Sequence, residues 1–185
     1  PMSLVDLANQ DGRSWSRIGD CYGVTKKPRE LDVRSHVTVP FIPMESVPQG
    51  GSYEPSFVLK RPDALTSGTY FERGDVLVAK ITPSFENGKQ ALVQTLPLPF
   101  GYATTEVIPL HALDAKNDPR LLFFYLLHPD IRHYVAERME GSTGRQRVPE
   151  NVLLELPMPD IEPDDQKRIA DSLERVQAAI AVEDE

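Results

Sequence analysis

Gly74-Asp75-Val76-Leu77-Val78-Ala79-Lys80-Ile81-Thr82-Pro83-Ser84-Phe85-Glu86-Asn87-Gly88-Lys89 is the stretch from which the fold can be read outward. Gly-Asp is a turn signal, and the apolar run at 76–81 has the composition of a buried strand. Residues 82–89 then read as a turn, with Asn87-Gly88 near its end. Residues 90–96 alternate (Ala91, Val93 and Thr95 against Leu92, Gln94 and Leu96), and residues 104–110 supply a third strand. A strand, a tight turn and a second strand predict an antiparallel pairing, and two more strands flank it.

Upstream, residues 37–42 read as a strand that Pro40 demotes to an edge or a bulge. Residues 43–68 hold four prolines and three glycines without periodicity and read as loop. That is long for a compact domain, and long ordered loops are more often functional than not. In the polar first 35 residues, Trp15 and Ile18 are the expected core contacts beside Gly19-Asp20, and Lys26-Lys27-Pro28-Arg29 reads as a solvated basic loop. Downstream, Asp118 caps a helix over 120–127 with Pro119 at its first position. Pro129 restarts a second helix over 130–139, with Ile131, Tyr134, Val135 and Met139 on one face, and Gly141-Ser142-Thr143-Gly144 ends it. The expected class is therefore α+β: a small, curved, mainly antiparallel sheet flanked by helices, with too few βα units for a doubly wound sheet.

A last helix is expected over 163–181. Pro163 stands at its first position, and Asp164 and Asp165 suit the positive end of its dipole. Ile169, Leu173, Val176 and Ile180 recur at coiled-coil spacing for about two heptads. So short a seam gains little without a partner surface. The spacing predicts the start of a protruding coiled-coil-type helix, the alternative being a helix packed back on its own domain.

Composition bounds the function. The chain has 185 residues, 40% hydrophobic and 26% charged, which are globular values. It carries no apolar run near the ~18 residues of a membrane span and no secretory leader, so a soluble, cytoplasmic protein is expected. Pro1 ahead of Met2 reads as a vector-derived residue, with Met2 the expected native start. A single cysteine, Cys21, excludes an internal disulfide framework and a cysteine zinc site. The net charge is −8, yet residues 1–150 hold 17 basic and 18 acidic side chains, and residues 151–185 hold 3 and 10. The acidity therefore belongs to the C-terminal segment. A neutral body leaves DNA binding open, with help needed for the phosphate grip.

Catalytic patterns are missing. There is no Gly-x-Gly-x-x-Gly, no phosphate-binding Gly-x-x-x-x-Gly-Lys-Ser/Thr and no Asn-Pro-Pro-Tyr/Phe methylase signature. His36, His111, His128 and His133 include no pair at metal-ligand spacing. Asp75, Glu86 and Lys89 could be assembled into a metal-dependent endonuclease site, but not at the usual acid-x-Lys spacing. Cys21 lacks a nucleophile signature and reads as a small buried hydrophobe. What is present is donor-rich loop chemistry. Lys80, Thr82, Ser84, Asn87 and Lys89 lie around one strand–turn–strand, and Ser142, Thr143, Arg145, Gln146 and Arg147 lie between Gly141 and Pro149. Arg and Lys suit guanine or phosphate, Asn and Gln suit adenine, and Ser and Thr suit either. Taken singly, each cluster also fits a plain polar turn. Asn87 before a glycine is a turn-former as readily as a base reader, and Arg147 could instead brace Glu150 or a helix end.

In combination these segments resemble the specificity subunits of type I restriction–modification systems. The stretch 74–89 is very like a recurring stretch of that family, and Thr104-Thr105-Glu106 matches the Ser/Thr-Thr-Glu that follows it there. Residues 141–149 match its Gly-Ser…Arg-Val/Ile-Pro turn. Leu156-Pro157-Met158-Pro159 followed by Gln166-Lys167-Arg168-Ile169-Ala170 resembles the opening of its conserved helix, with Asp165 where the family usually has Glu. Trp15-Ser16-Arg17-Ile18-Gly19-Asp20 is similar to its N-terminal Trp-x-x-x-x-Leu-Gly-Asp. The resemblance is ordered and covers roughly residues 15–180.

The resemblance implies a non-catalytic chain without a cofactor of its own. Residues 2–160 would form one target recognition domain, and residues 161–185 would begin the spacer and dimerisation helix. Full-length members hold two such domains and two helices, so this chain would be a fragment or a half-subunit that pairs with itself. Its implied partners are double-stranded DNA, modification subunits that carry S-adenosylmethionine and methylate adenine, and through them the restriction subunit. Its implied DNA contacts lie among Lys80, Thr82, Ser84, Asn87, Lys89 and Thr105, and among Ser142, Thr143, Arg145, Gln146 and Arg147. An inert partner-docking domain is the remaining alternative to DNA reader and nuclease.

Overall fold

Asp6, Ala8, Gly12 and residues 14–183 are described in a computed structural model; the expected start at Met2 lies outside the described residues. Along the chain run β1 (Trp15–Arg17), α1 (Ile18–Cys21), β2 (Tyr22–Val24), β3 (Val39–Ile42), β4 (Val58–Lys60), β5 (Thr69–Glu72), β6 (Val76–Ala79), β7 (Gln90–Leu92), β8 (Phe100–Ala103) and β9 (Val107–Ala112). They are followed by α2 (Pro119–Leu127), α3 (Pro129–Ala136), α4 (Glu150–Leu154), β10 (Pro157–Pro159) and α5 (Pro163–Glu183). The chain divides into two units, one of residues 1–23 and 112–185, the other of residues 24–111. No helix among the described residues is long and apolar enough to cross a membrane.

The first unit is helical at its centre. Asp118 caps α2 by accepting the Arg120 N–H at 2.9 Å, and Leu121, Leu122, Phe123 and Leu126 are buried from it. Both starts follow the Pro signals of the sequence, because capping is settled within one turn. The second helix is shorter than the expected 130–139. α3 stops at Ala136, and the Arg138 and Met139 N–H groups bond three residues back, to Val135 and Ala136. This tightening buries Met139 and turns the chain directly into a bridge between Glu140 and Arg147. Elements that went unanticipated include α1, α4 and the antiparallel pair of β1 with β10 (Trp15↔Pro159, Arg17↔Pro157), as well as β2, β5 and β8. Prolines at both ends of β10 are edge-strand grammar, and they hid it. The Ser14 and Ser16 hydroxyls donate to Asp160 beside this pair, holding its carboxyl below the usual range. Gly19 of α1 lies so close to α4 that a Cβ there would stand 3.1 Å from the Leu154 carbonyl oxygen.

The second unit is β structure. One sheet has the order β4-β3-β8-β5, antiparallel except for a parallel β3–β8 pair (Phe41↔Tyr102, Ile42↔Ala103). The other has the order β2-β9-β6-β7 and is antiparallel between β9, β6 and β7; β2 is the strand in which the chain passes from one unit to the other. Ile42, Phe71, Leu77, Ala91, Val93 and Val107 form its main apolar cluster. The expected α+β class with mainly antiparallel pairing is what the molecule adopts, divided among a two-stranded and two four-stranded sheets.

Several expectations are corrected. Pro40 does not sit on an edge, because β3 has neighbours on both sides; the parallel ladder with β8 begins one residue later, at Phe41, so it needs no Pro40 N–H. The 43–68 loop contains β4 and two single 3-10 turns, Met44–Ser46 and Pro62–Ala64. The strand expected over 90–96 ends at Leu92, although the Val93 N–H still reaches the Asp75 carbonyl; the Gln94 N–H goes to the Glu54 side chain instead of a strand. The strand expected over 104–110 starts at Val107, because Thr104 accepts the Glu106 N–H in a turn.

Candidate nucleic-acid interface

Residues 81–89 form a compact knuckle between β6 and β7. Buried Phe85 anchors it, and a Thr82-Pro83 cis peptide lies at its start. The N–H groups of Phe85, Asn87 and Lys89 donate to the carbonyls of Ile81, Pro83 and Ser84, each at 3.0 Å, so the knuckle is internally bonded. The Thr82 hydroxyl donates to Glu86 at 2.7 Å, and the Lys89 ammonium to the Met44 carbonyl at 3.1 Å. The Lys80 N–H donates to the Glu106 carbonyl at 2.9 Å, which brings the Thr104–Glu106 turn beside the knuckle's base. Asn87 and Thr105 are exposed, and Lys80, Thr82, Ser84 and Lys89 are half-buried. All six of these candidates lie in the second unit, on neighbouring turns.

The other five lie in the first unit. Glu140 and Arg147 exchange backbone hydrogen bonds at 2.9 and 2.8 Å, and buried Val148 roots the tongue they close. Gly141 is required at its neck: φ is +127°, and a Cβ would lie 2.7 Å from the Arg145 carbonyl oxygen. The Arg145 N–H returns to the Ser142 carbonyl at 2.9 Å. Ser142, Thr143, Arg145 and Arg147 are exposed and Gln146 is half-buried, so the tongue presents hydroxyl, guanidinium and amide donors to solvent.

The alternatives find less. Among the described residues no group of three His, Cys, Asp or Glu side chains could hold a metal ion. Asp75 is buried, receives the Glu72 N–H at 2.9 Å and has its carboxyl pushed up to about 7 by burial, unlike a metal-binding carboxylate. Cys21 is half-buried, and desolvation together with Asp160 and Asp20 pushes its thiol up, away from nucleophilic thiolate chemistry. His128 caps α3 at the Asp130 N–H, and His133 pairs with Glu137 on the surface.

The seam of α5 is largely exposed, with Ile169 and Leu173 lining an open cleft beside residues 160–162. Ile169, Val176 and Ile180 are 39, 58 and 49% exposed, and Leu173 is half-buried. The body-facing side is instead polar. Gln166 accepts the Asp118 N–H at 2.9 Å and donates to the Ile161 carbonyl at 2.9 Å, while Ala170 is fully buried. Arg120 grips Asp118 from α2 and reaches Asp171 at 2.6 Å and Glu174 at 3.2 Å. The bonds to Asp118 raise the Arg120 guanidinium further, and Lys167 with Arg120 holds the Asp171 carboxyl down at about 2. The sequence pattern located the seam, but long-range polar partners locate the face that docks.

No family model matches the chain. It is 29% identical over 160 residues to the type I restriction enzyme EcoAI specificity subunit of Escherichia coli, covering 86% of this chain and 27% of that protein. In fold it is similar to the HsdS subunit from Thermoanaerobacter tengcongensis, with a TM-score of 0.62 at 14% identity over 95% of this chain and 42% of that one. It is also similar to a chain from a study of complex assembly and conformational transition of the type I restriction–modification system, with a TM-score of 0.62 at 16% identity over 91% of this chain and 39% of that one. The chain thus spans about a quarter of the length of its curated relative.

Proposed function

We infer that a chain with the sequence kinship and the fold of type I specificity subunits acts as one: a non-catalytic reader of one half of a divided DNA target. The observation that carries this reading is the 160-residue match to a specificity subunit, long enough that it must include both donor-rich turns. In this reading residues 2–160 recognise DNA and residues 161–185 begin the spacer. The knuckle at 80–89 with Thr105, and the tongue at 142–147, supply donors for base edges and phosphates. α5 turns its exposed seam to a modification subunit or to a second copy of the chain, and the modification subunits carry the methyl donor and the adenine chemistry. The chain brings specificity to them and, through them, to the restriction subunit.

The test is a comparison of adenine methylation across the genome in cells with and without this gene, partners present. Loss of methylation at one bipartite sequence is the expected result. An unchanged methylation map together with DNA cleavage by the purified chain and Mg²⁺ would support the nuclease instead.

A further inference from the structure

Two single 3-10 turns of the second unit, Val33–Ser35 and Pro62–Ala64, pack beside each other. The Asp32 carboxylate caps the first by accepting the Arg34 N–H at 3.0 Å. Leu31, Val33 and Leu65 seat both turns against buried Val39, Tyr70 and Phe100, so they are held from beneath. A cleft of about 450 Å³ is lined here by exposed Lys27 and Arg34 and half-buried Tyr102; an adjoining one of about 500 Å³ shares Arg34 and adds Arg61.

The charge of this region is opposite to that of the chain. Residues 24–36 and 58–68 hold six basic and three acidic side chains, against 20 and 28 in the whole sequence. Asp32 and Asp63 also line these clefts, but the Arg61–Asp63 pair is weak: the two stand 3.5 Å apart with side chains 78 and 72% exposed, a geometry worth about 0–1 kcal/mol. Cationic side chains on buttressed turns, concentrated in an otherwise acidic protein, form a preorganised anion surface.

We propose that these joined clefts grip the phosphate backbone of duplex DNA, with Lys27, Arg34 and Arg61 as contacts that set register without reading bases. This rests on the chain being a DNA reader and gives it a phosphate surface distinct from the knuckle and the tongue. The basic stretch at 26–29, a plain solvated loop by sequence, becomes part of a site because the fold sets it next to residues 61–68.

The experiment uses the full chain assembled with its modification subunits, titrated against random-sequence and target duplexes over a salt series. The variants are K27Q/R34Q/R61Q, the charge-keeping R34K/R61K, and a control, K116Q/R175Q, in the first unit. The triple glutamine variant is expected to lower the slope of log affinity against log salt by about 2–3 units on both duplexes, leaving target preference intact. The lysine variant and the control are expected to keep the slope. An unchanged slope in the folded triple variant would place the phosphate contacts elsewhere while leaving the reader function standing. Lost target preference at an unchanged slope would show base reading and overturn the grip. If the unmodified assembly binds no DNA, the function itself falls and the grip with it.

Discussion

Asp75 is 2% exposed, bonded to the Glu72 N–H and to Thr25, whose hydroxyl lies 3.0 Å from His111 Nδ1. Burial outweighs both bonds and pushes the carboxyl up to about 7. Between about pH 4 and 7 the folded protein therefore keeps a proton that the unfolded chain has released. The stability tied to this group is full below about pH 4 and lost as pH rises through about 7. Asp75→Asn leaves an acceptor for Glu72 and no charge to bury. It is expected to remove this decline, gaining a few kcal/mol on the native protein between about pH 5 and 8, as read from urea midpoints at both ends. Parallel pH profiles would show that another group titrates. Lys89 is the second case. Its ammonium is bonded to the Met44 carbonyl, so Lys89→Ala is expected to cost about 1 kcal/mol of stability, whereas Lys80→Ala stays within about 0.5. The sequence marked both lysines as donors; only the neighbouring turn separates them.

α5 tests where local pattern ends and tertiary contact begins. Its start, its acidic first turn and its seam are all legible, because Pro, Asp and apolar spacing act within the helix. Which face docks was not, because Arg120 and Asp118 approach from about 50 residues away, a separation no helical period encodes. Leu173→Asp with Val176→Asp is expected to leave the circular dichroism and melting of the chain nearly unchanged and to abolish co-elution with the proposed modification-subunit partners. Collapse of the whole fold would assign the seam to the core. Arg120→Met should do the reverse: it takes the guanidinium away from Asp118, Asp171 and Glu174, leaves Lys167 on Asp171, and costs on the order of 2 kcal/mol, below a fully buried pair because solvent screens part of it. Urea denaturation checks it, with hydrogen exchange over 163–174 rising first. Asp171, held down at about 2, keeps its contribution from about pH 4 upward and loses it only as pH falls toward 2.

On the proposed reading, a chain of net charge −8 is expected to bind DNA weakly by itself and far more tightly once modification subunits add phosphate contacts. Titrating one duplex with the chain alone and with the assembly checks this, and equal affinities would locate the whole grip in this chain. By itself the sequence determined the α+β class, the Pro-capped helix starts, the strand–turn–strand order around residues 82–89, the seam on α5 and the donor-rich turns. Each is written in residues within a turn or a strand of one another, where backbone preference and periodicity act. Only the tertiary structure decided that Pro40 lies in an interior strand, that Trp15–Arg17 pairs with Pro157–Pro159, that the polar side of α5 packs inward and that two basic segments share a cleft. These depend on which distant segments meet, and burial and hydrogen bonding settle that for the molecule as a whole.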